Sequence, residues 1–224
     1  MKRIIVVALS VILAFTLAMP MALGQVGQGA QASGKAEELV AAWWQWALSK
    51  PAATNPLDGS YNGGPNCNGR PVTDTPGKKW FLGGSLAEDP VRRTCTAPVG
   101  RQFFFPVVNV LIIPFPGETE KQLLKQANTE LNAQLRGGDV EVRVDGRTVK
   151  GKRLVRADTP FFTAKVPQNG LIGPGSYRLV AAGLWVTLPP LPPGRHTIHF
   201  EISGGSYEQN ITYHLRVVKG KSTS

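Results

Sequence analysis

The sequence predicts a mainly β protein of the α+β class: an antiparallel β-sandwich, immunoglobulin-like in its C-terminal half, with an N-terminal helix and one inserted surface helix. Three observations carry this. Apolar and polar residues alternate through the last two segments, with Ile198, Phe200 and Ile202 on one side of the first and Ile211, Tyr213, Leu215 and Val217 on one side of the second. Turn residues recur every ten or so positions from Val140 onward, and Asp145-Gly146 is a strong hairpin turn. Helical spacing is confined to two segments, 37–49 and 118–136.

The N-terminus carries an export signal. Lys2 and Arg3 precede the almost unbroken apolar stretch 4–17, and Ala22-Leu23-Gly24 puts small residues where a signal peptidase cuts. Residues 1–24 are therefore expected to be a secretory signal peptide, 25–34 a flexible linker, 35–219 a single β-rich domain and 220–224 a disordered tail. The expected location is periplasmic or extracellular. No second run approaches the ~20 apolar residues that span a bilayer, so no transmembrane segment is expected in the mature chain. Cys67 and Cys95 are the two cysteines, and an even pair in an exported domain reads as a disulfide.

Loss of Lys2 and Arg3 leaves 23 of the 25 basic residues against 15 acidic ones, a net charge of +8. Such a surface attracts anionic polymers, whether envelope lipids, acidic glycans or nucleic acid. Lys150, Lys152, Arg153 and Arg156 form a dense basic cluster and are the candidate anion-binding residues. No helix-turn-helix, zinc finger or RNP-like motif points to specific nucleic-acid recognition.

Along the chain, the segment 37–49 is apolar nearly all round, with Leu39, Val40, Trp43, Trp44, Trp46, Ala47 and Leu48, and such a helix belongs in a core. Pro51 stops it. Residues 50–78 are irregular and rich in Pro and Gly, a length that marks a functional or disordered loop. Strands are expected at 79–83 and 91–97. The run 101–114 lacks alternation, which implies a strand buried on both faces and bent at Pro106. In 118–136, Leu124, Ala127, Leu131 and Leu135 share one face, and Gly137-Gly138 ends the helix. Further strands are expected at 161–166 and 177–188, with Pro189-Pro190-Leu191-Pro192-Pro193-Gly194 a stiff connector.

A set of motifs spans most of the chain: Trp43-Trp44-Gln45-Trp46-Ala47-Leu48-Ser49 with Pro51, Asn55-Pro56-Leu57-Asp58, Trp80-Phe81-Leu82-Gly83-Gly84, Arg93-Thr94-Cys95, Phe104-Phe105-Pro106-Val107-Val108-Asn109, and Leu191-Pro192-Pro193-Gly194-Arg195-His196-Thr197-Ile198-His199-Phe200. In order and spacing it resembles a family of secreted prokaryotic proteins with no assigned activity. The resemblance implies one integral domain and supports the Cys67–Cys95 pairing. It brings no functional residue with it. The chain departs from that pattern at Gly59-Ser60-Tyr61-Asn62 and Thr75-Pro76-Gly77.

Candidate chemistry is sparse. Gly83-Gly84-Ser85-Leu86-Ala87 approximates a nucleophile elbow, and Asp139, Asp145 or Asp158 followed by His196 keeps the Ser, Asp, His order. The elbow needs a strand, a sharp turn and a helix, and Glu88-Asp89-Pro90 follows instead. Ser85, Asp58 and His196 are thus weak catalytic candidates. His199 and His214 would face each other if the last two strands closed around residues 204–209, with Glu201 nearby, a set that suits a transition metal. The loop oxygens of Asn55, Asp58, Asn62, Asn66, Asn68 and Asp74 could serve calcium, although their spacing matches no calcium loop. No cofactor is otherwise expected. The reading is an exported, non-catalytic binding or structural domain whose ligand the sequence does not identify, with anionic envelope or glycan surfaces as the candidates. The alternative is a secreted hydrolase with its site near the long Pro/Gly loop.

Overall fold

A computed structural model of the chain describes residues 33–58, 79–86 and 89–219. The expected signal peptide, most of the expected linker, Cys67, most of the long Pro/Gly loop and the expected tail lie outside the described residues.

The first helix, α1 (Ser33–Leu48), starts inside the expected linker and ends where expected. Asn55 closes its C-terminus: its Nδ2 donates to the Ala47 and Lys50 carbonyls at 2.9 and 3.3 Å, and its Oδ1 accepts the Leu57 N–H at 3.0 Å. These bonds satisfy carbonyls that every helix end leaves without a partner. They also occupy the side chain, which is fully buried, and so remove Asn55 from the expected calcium set.

Three strands follow, β1 (Lys79–Phe81), β2 (Val91–Pro98) and β3 (Gln102–Ile112). Helix α2 (Glu120–Leu135) has a reciprocal capping box, with Thr119 and Gln122 bonding each other's backbone, and Gly137 beyond its end adopts φ 74°. Its buried face is Leu123, Ala127, Leu131 and Gln134. The expected stripe is therefore rotated by one position, and Leu124 and Leu135 lie at its margin. The remaining strands are β4 (Asp139–Val144), β5 (Arg147–Thr148), β6 (Leu154–Val166), β7 (Gly175–Leu188), β8 (Gly194–Ser203) and β9 (Gln209–Val218).

Two sheets form, a four-stranded one in the order β1-β3-β7-β6 and a five-stranded one in the order β2-β9-β8-β4-β5. Most pairs are antiparallel, as expected of this α+β sandwich. Two are not: β1 runs parallel to β3 and β2 parallel to β9. Each sheet takes strands from both halves of the chain, so the sandwich is built jointly rather than by the C-terminal half alone.

The four-stranded sheet is covered on both faces. One face packs on α1 through Phe104, Leu111, Leu179, Ala181 and Trp185. There Trp185 stacks on Phe104 at 5.1 Å, and the Trp43 indole donates to the Leu82 carbonyl at 2.9 Å. The three tryptophans of α1 are therefore core residues. The opposite face is shared. Val108, Val110, Ile112, Val180 and Ala182 meet α2. Phe103, Phe105, Val107, Val186 and Leu188 meet the second sheet. This double burial is why β3 reads as an unbroken apolar run. Its register shifts between Pro106 and Val108, where the bend was expected.

The second sheet contributes Val91, Cys95, Ile198, Phe200, Ile211, Tyr213 and Leu215 to the shared core. Its alternation in β8 and β9 matches the sequence residue by residue. Cys95 is buried there and is not a free thiol; its expected partner Cys67 lies outside the described residues. Among the described residues no helix is long and apolar enough to cross a membrane.

Candidate functional site

The outer face of the five-stranded sheet is the one sheet face in the described residues with no helix or second sheet packed against it. Its residues follow from register. Thr96, Arg216 and Arg195 form one row across β2, β9 and β8, and Thr94, His214 and Thr197 form the next. Arg92, Thr212, His199 and Arg143 form a third, and Asn210, Glu201 and Glu141 a fourth. The face is thus basic at one end and acidic at the other.

At the basic end lies a concavity of about 460 Å³ lined by Thr94, Asp145, Arg195, His196, Thr197, His214 and Arg216 among others. Arg195 and Arg216 are direct cross-strand partners and both are exposed. Like charges set opposite each other in a ladder repel. Among the described residues no carboxylate pairs with either of them. The nearby Asp145 carboxylate turns instead to the start of β8. Oδ1 accepts the Thr197 N–H at 2.8 Å and Oδ2 accepts from His196 Nδ1 at 2.7 Å.

The Asp145 geometry begins with the hairpin turn. Asp145 and Gly146 have φ of 50° and 76°, the left-handed pair that a two-residue turn between β4 and β5 requires. The turn aims the carboxylate at the start of β8. Burial alone would raise the Asp145 carboxyl, but the bonds from His196 and Thr197 and the charges of His196 and Arg147 outweigh it and hold the carboxyl below its ordinary value. Burial alone would likewise lower His196. The bonds to Asp145 and to the Pro192 carbonyl, with the Asp145 charge, raise it instead. His196 Nε2 lies 2.9 Å from that carbonyl. Both ring nitrogens face acceptors, so the imidazolium form satisfies the site.

This disposes of His196 as a base for Ser85. Ser85 lies at the other end of the sheet, where its N–H donates to Gln209 Oε1 at 2.8 Å, whereas His196 pairs with Leu215. Asp58 does come near Ser85, since Leu86 N–H donates to the Leu57 carbonyl. No elbow forms. Among the described residues Asp145 is the one non-glycine with positive φ, so Ser85 is not strained. The glycines before Ser85 are tied down by the buried Arg93, whose guanidinium donates to the carbonyls of Gly83, Gly84 and Asp58 and to the Tyr213 hydroxyl. Gly83 is needed there because a Cβ would come within 2.3 Å of the Pro56 carbonyl oxygen.

A small cavity of about 20 Å³ adjoins Ser85. Trp44 Nε1, Asn109 Nδ2 and Gln134 Oε1, on residues that line it, have no hydrogen-bond partner among the described residues. Tyr207 also lines it, and burial pushes its phenol up to about 12. That volume suits about one water molecule rather than a substrate.

The other candidates fare unevenly. Arg156 is committed to α2, donating to the side-chain oxygens of Asn132 and Asn128 at 2.7 and 3.0 Å. Lys150, Lys152 and Arg153 are exposed between β5 and β6. The expected His199–His214 facing pair is corrected: His199 pairs with Thr212, and His214 with Thr197. The hairpin closes at Ile202–Gln209, not one residue further out on β8 and β9, which shifts each partner by two positions. What joins His199 and Glu201 is Glu141 of β4. Sequence reasoning missed both Glu141 and the Arg195–Arg216 pair. Both sit at outward positions that only the strand pairing connects. Of the calcium candidates, Asn62, Asn66, Asn68 and Asp74 lie outside the described residues.

No family model matches the sequence, and no curated protein matches it. Among solved structures, the solution structure of amebosin is 12% identical with a TM-score of 0.21, over 62% of this chain and 96% of that one. A family 123 glycoside hydrolase from Clostridium perfringens is 10% identical with a TM-score of 0.23, over 57% of this chain and 22% of that one. Likenesses this low carry no argument about activity.

Proposed function

We propose that this is an exported binding domain that recognises an acidic glycan through the open face of its five-stranded sheet. One observation carries the reading: Arg195 and Arg216, set side by side in the ladder with no carboxylate partner among the described residues, line a concavity open to solvent. An anion lying between the two guanidiniums would relieve their repulsion and accept planar, charge-assisted hydrogen bonds. Thr94, Thr197 and His214 add hydroxyl and imidazole groups suited to sugar oxygens. Exposed charges act over a Debye length of about 8 Å at physiological salt, so binding is expected to weaken as salt rises. The Ser85 and His196 positions give the hydrolase alternative no support.

The test is affinity for a sulfated or uronic-acid polysaccharide. Arg195→Glu with Arg216→Glu should weaken binding by ~10-fold or more, while Lys150→Glu with Lys152→Glu, the same change in net charge, should leave it within about twofold, since contacts to charged groups are each worth roughly 1.5–3 kcal/mol. Equal loss in both variants would assign the binding to net charge and refute the site.

A further inference from the structure

We propose that Glu141, His199 and Glu201 form a site for one zinc-like divalent cation at the acidic end of the same sheet face. The site is separate from the arginine pair and does not rest on the glycan reading. One ligand atom from each residue lies within 4.8 Å of the others. His199 Nε2 and Glu201 Oε2 are 3.3 Å apart. Two ligands at about 2.0–2.1 Å from a tetrahedral metal are separated by about 3.3–3.4 Å. The gap between these two atoms therefore already matches an edge of the coordination polyhedron.

Register supplies the second argument. Glu141 and Glu201 are direct cross-strand partners on β4 and β8, so two carboxylates are held face to face where like charges destabilise the ladder. A cation between them removes that repulsion. Neighbouring groups on β9 are already placed as supporting contacts. His199 Nδ1 lies 3.1 Å from Thr212 Oγ1, which aims Nε2 at the two carboxylates. Asn210 Nδ2 donates to Glu201 Oε2 at 2.8 Å. Metal-binding imidazoles and carboxylates are oriented by such outer contacts. The three side chains are between 23 and 30% exposed, which leaves a side open for water as a further ligand. The competing partner is Arg143, 2.7 Å from Glu141, but its side chain is half exposed and can leave at little cost. A nitrogen with two carboxylates suits a first-row divalent ion such as zinc better than calcium.

The experiment is calorimetric titration of chelator-stripped, untagged protein with zinc chloride, beside calcium chloride. One zinc per chain is expected, with no comparable calcium binding. His199→Gln and Glu141→Gln should each weaken zinc by at least ~10-fold, and Thr212→Val by roughly 10-fold through loss of orientation. Arg143→Gln should keep or tighten binding, and His214→Ala should leave it unchanged. Circular dichroism of each variant confirms folding on this exposed face. Absence of saturable zinc binding, survival of full affinity in folded His199→Gln, equal affinity for calcium, or loss in His214→Ala would each overturn the site.

Discussion

His196 is a residue whose sequence context suggests catalysis and whose surroundings assign it to structure. Its two nitrogens join the β4–β5 turn to the carbonyl of Pro192 in the proline-rich connector. The pair makes stability depend on pH in a defined direction. A raised His196 contributes fully below its ordinary value of 6.5 and loses that contribution as pH rises through its value in the folded protein. A lowered Asp145 contributes above its ordinary 3.8 and loses that contribution as pH falls through its value in the folded protein. The two effects overlap between pH 3.8 and 6.5. Because the Asp145 side chain is 45% exposed, solvent screening keeps the gain under about 1 kcal/mol. Urea denaturation should therefore show a larger wild-type advantage over His196→Ala at pH 5 than at pH 8.5. The same advantage at both pH values would mean that the imidazole acts through packing alone.

At the scale of elements, α2 shows what local pattern reveals and what it leaves out. Its existence, its end at Gly137 and its surface position were legible in the spacing of its leucines and in Gly137-Gly138. Its rotation was not, because Leu123 and Leu124 are adjacent and either completes an apolar stripe. Packing against Val108, Val110 and Val180 selects Leu123. The Glu120 side chain adds a long-range tie, accepting the Phe161 N–H at 2.8 Å where β6 shifts register against β7. The first half of β6 was hidden because residues 150–156 read as a basic cluster and 157–160 carried no strand pattern; their pairing becomes visible only with β7 in place. Removing the capping box in Thr119→Ala should cost about 1 kcal/mol, measured as a lower urea midpoint with an unchanged slope. An unchanged midpoint would show that packing alone sets the start of the helix.

For the whole molecule, layering decides where a ligand can bind. Helices α1 and α2 and the second sheet together cover both faces of the four-stranded sheet, which leaves the outer face of the five-stranded sheet as the open one among the described residues. Strand alternation made the inward residues of β8 and β9 legible. The outward constellation stayed hidden because it depends on register, on the parallel docking of β2 and on β4 at the other flank. The acidic glycan proposed above would lie on this face, at its arginine end. The most direct measurement is an amide chemical-shift titration of the protein with a sulfated oligosaccharide. Binding at the arginine end should perturb Thr94, Arg195, Thr197, His214, Arg216 and their strand neighbours and no others. Perturbations centred on Lys150, Lys152 and Arg153, or spread evenly over the basic surface, would contradict it.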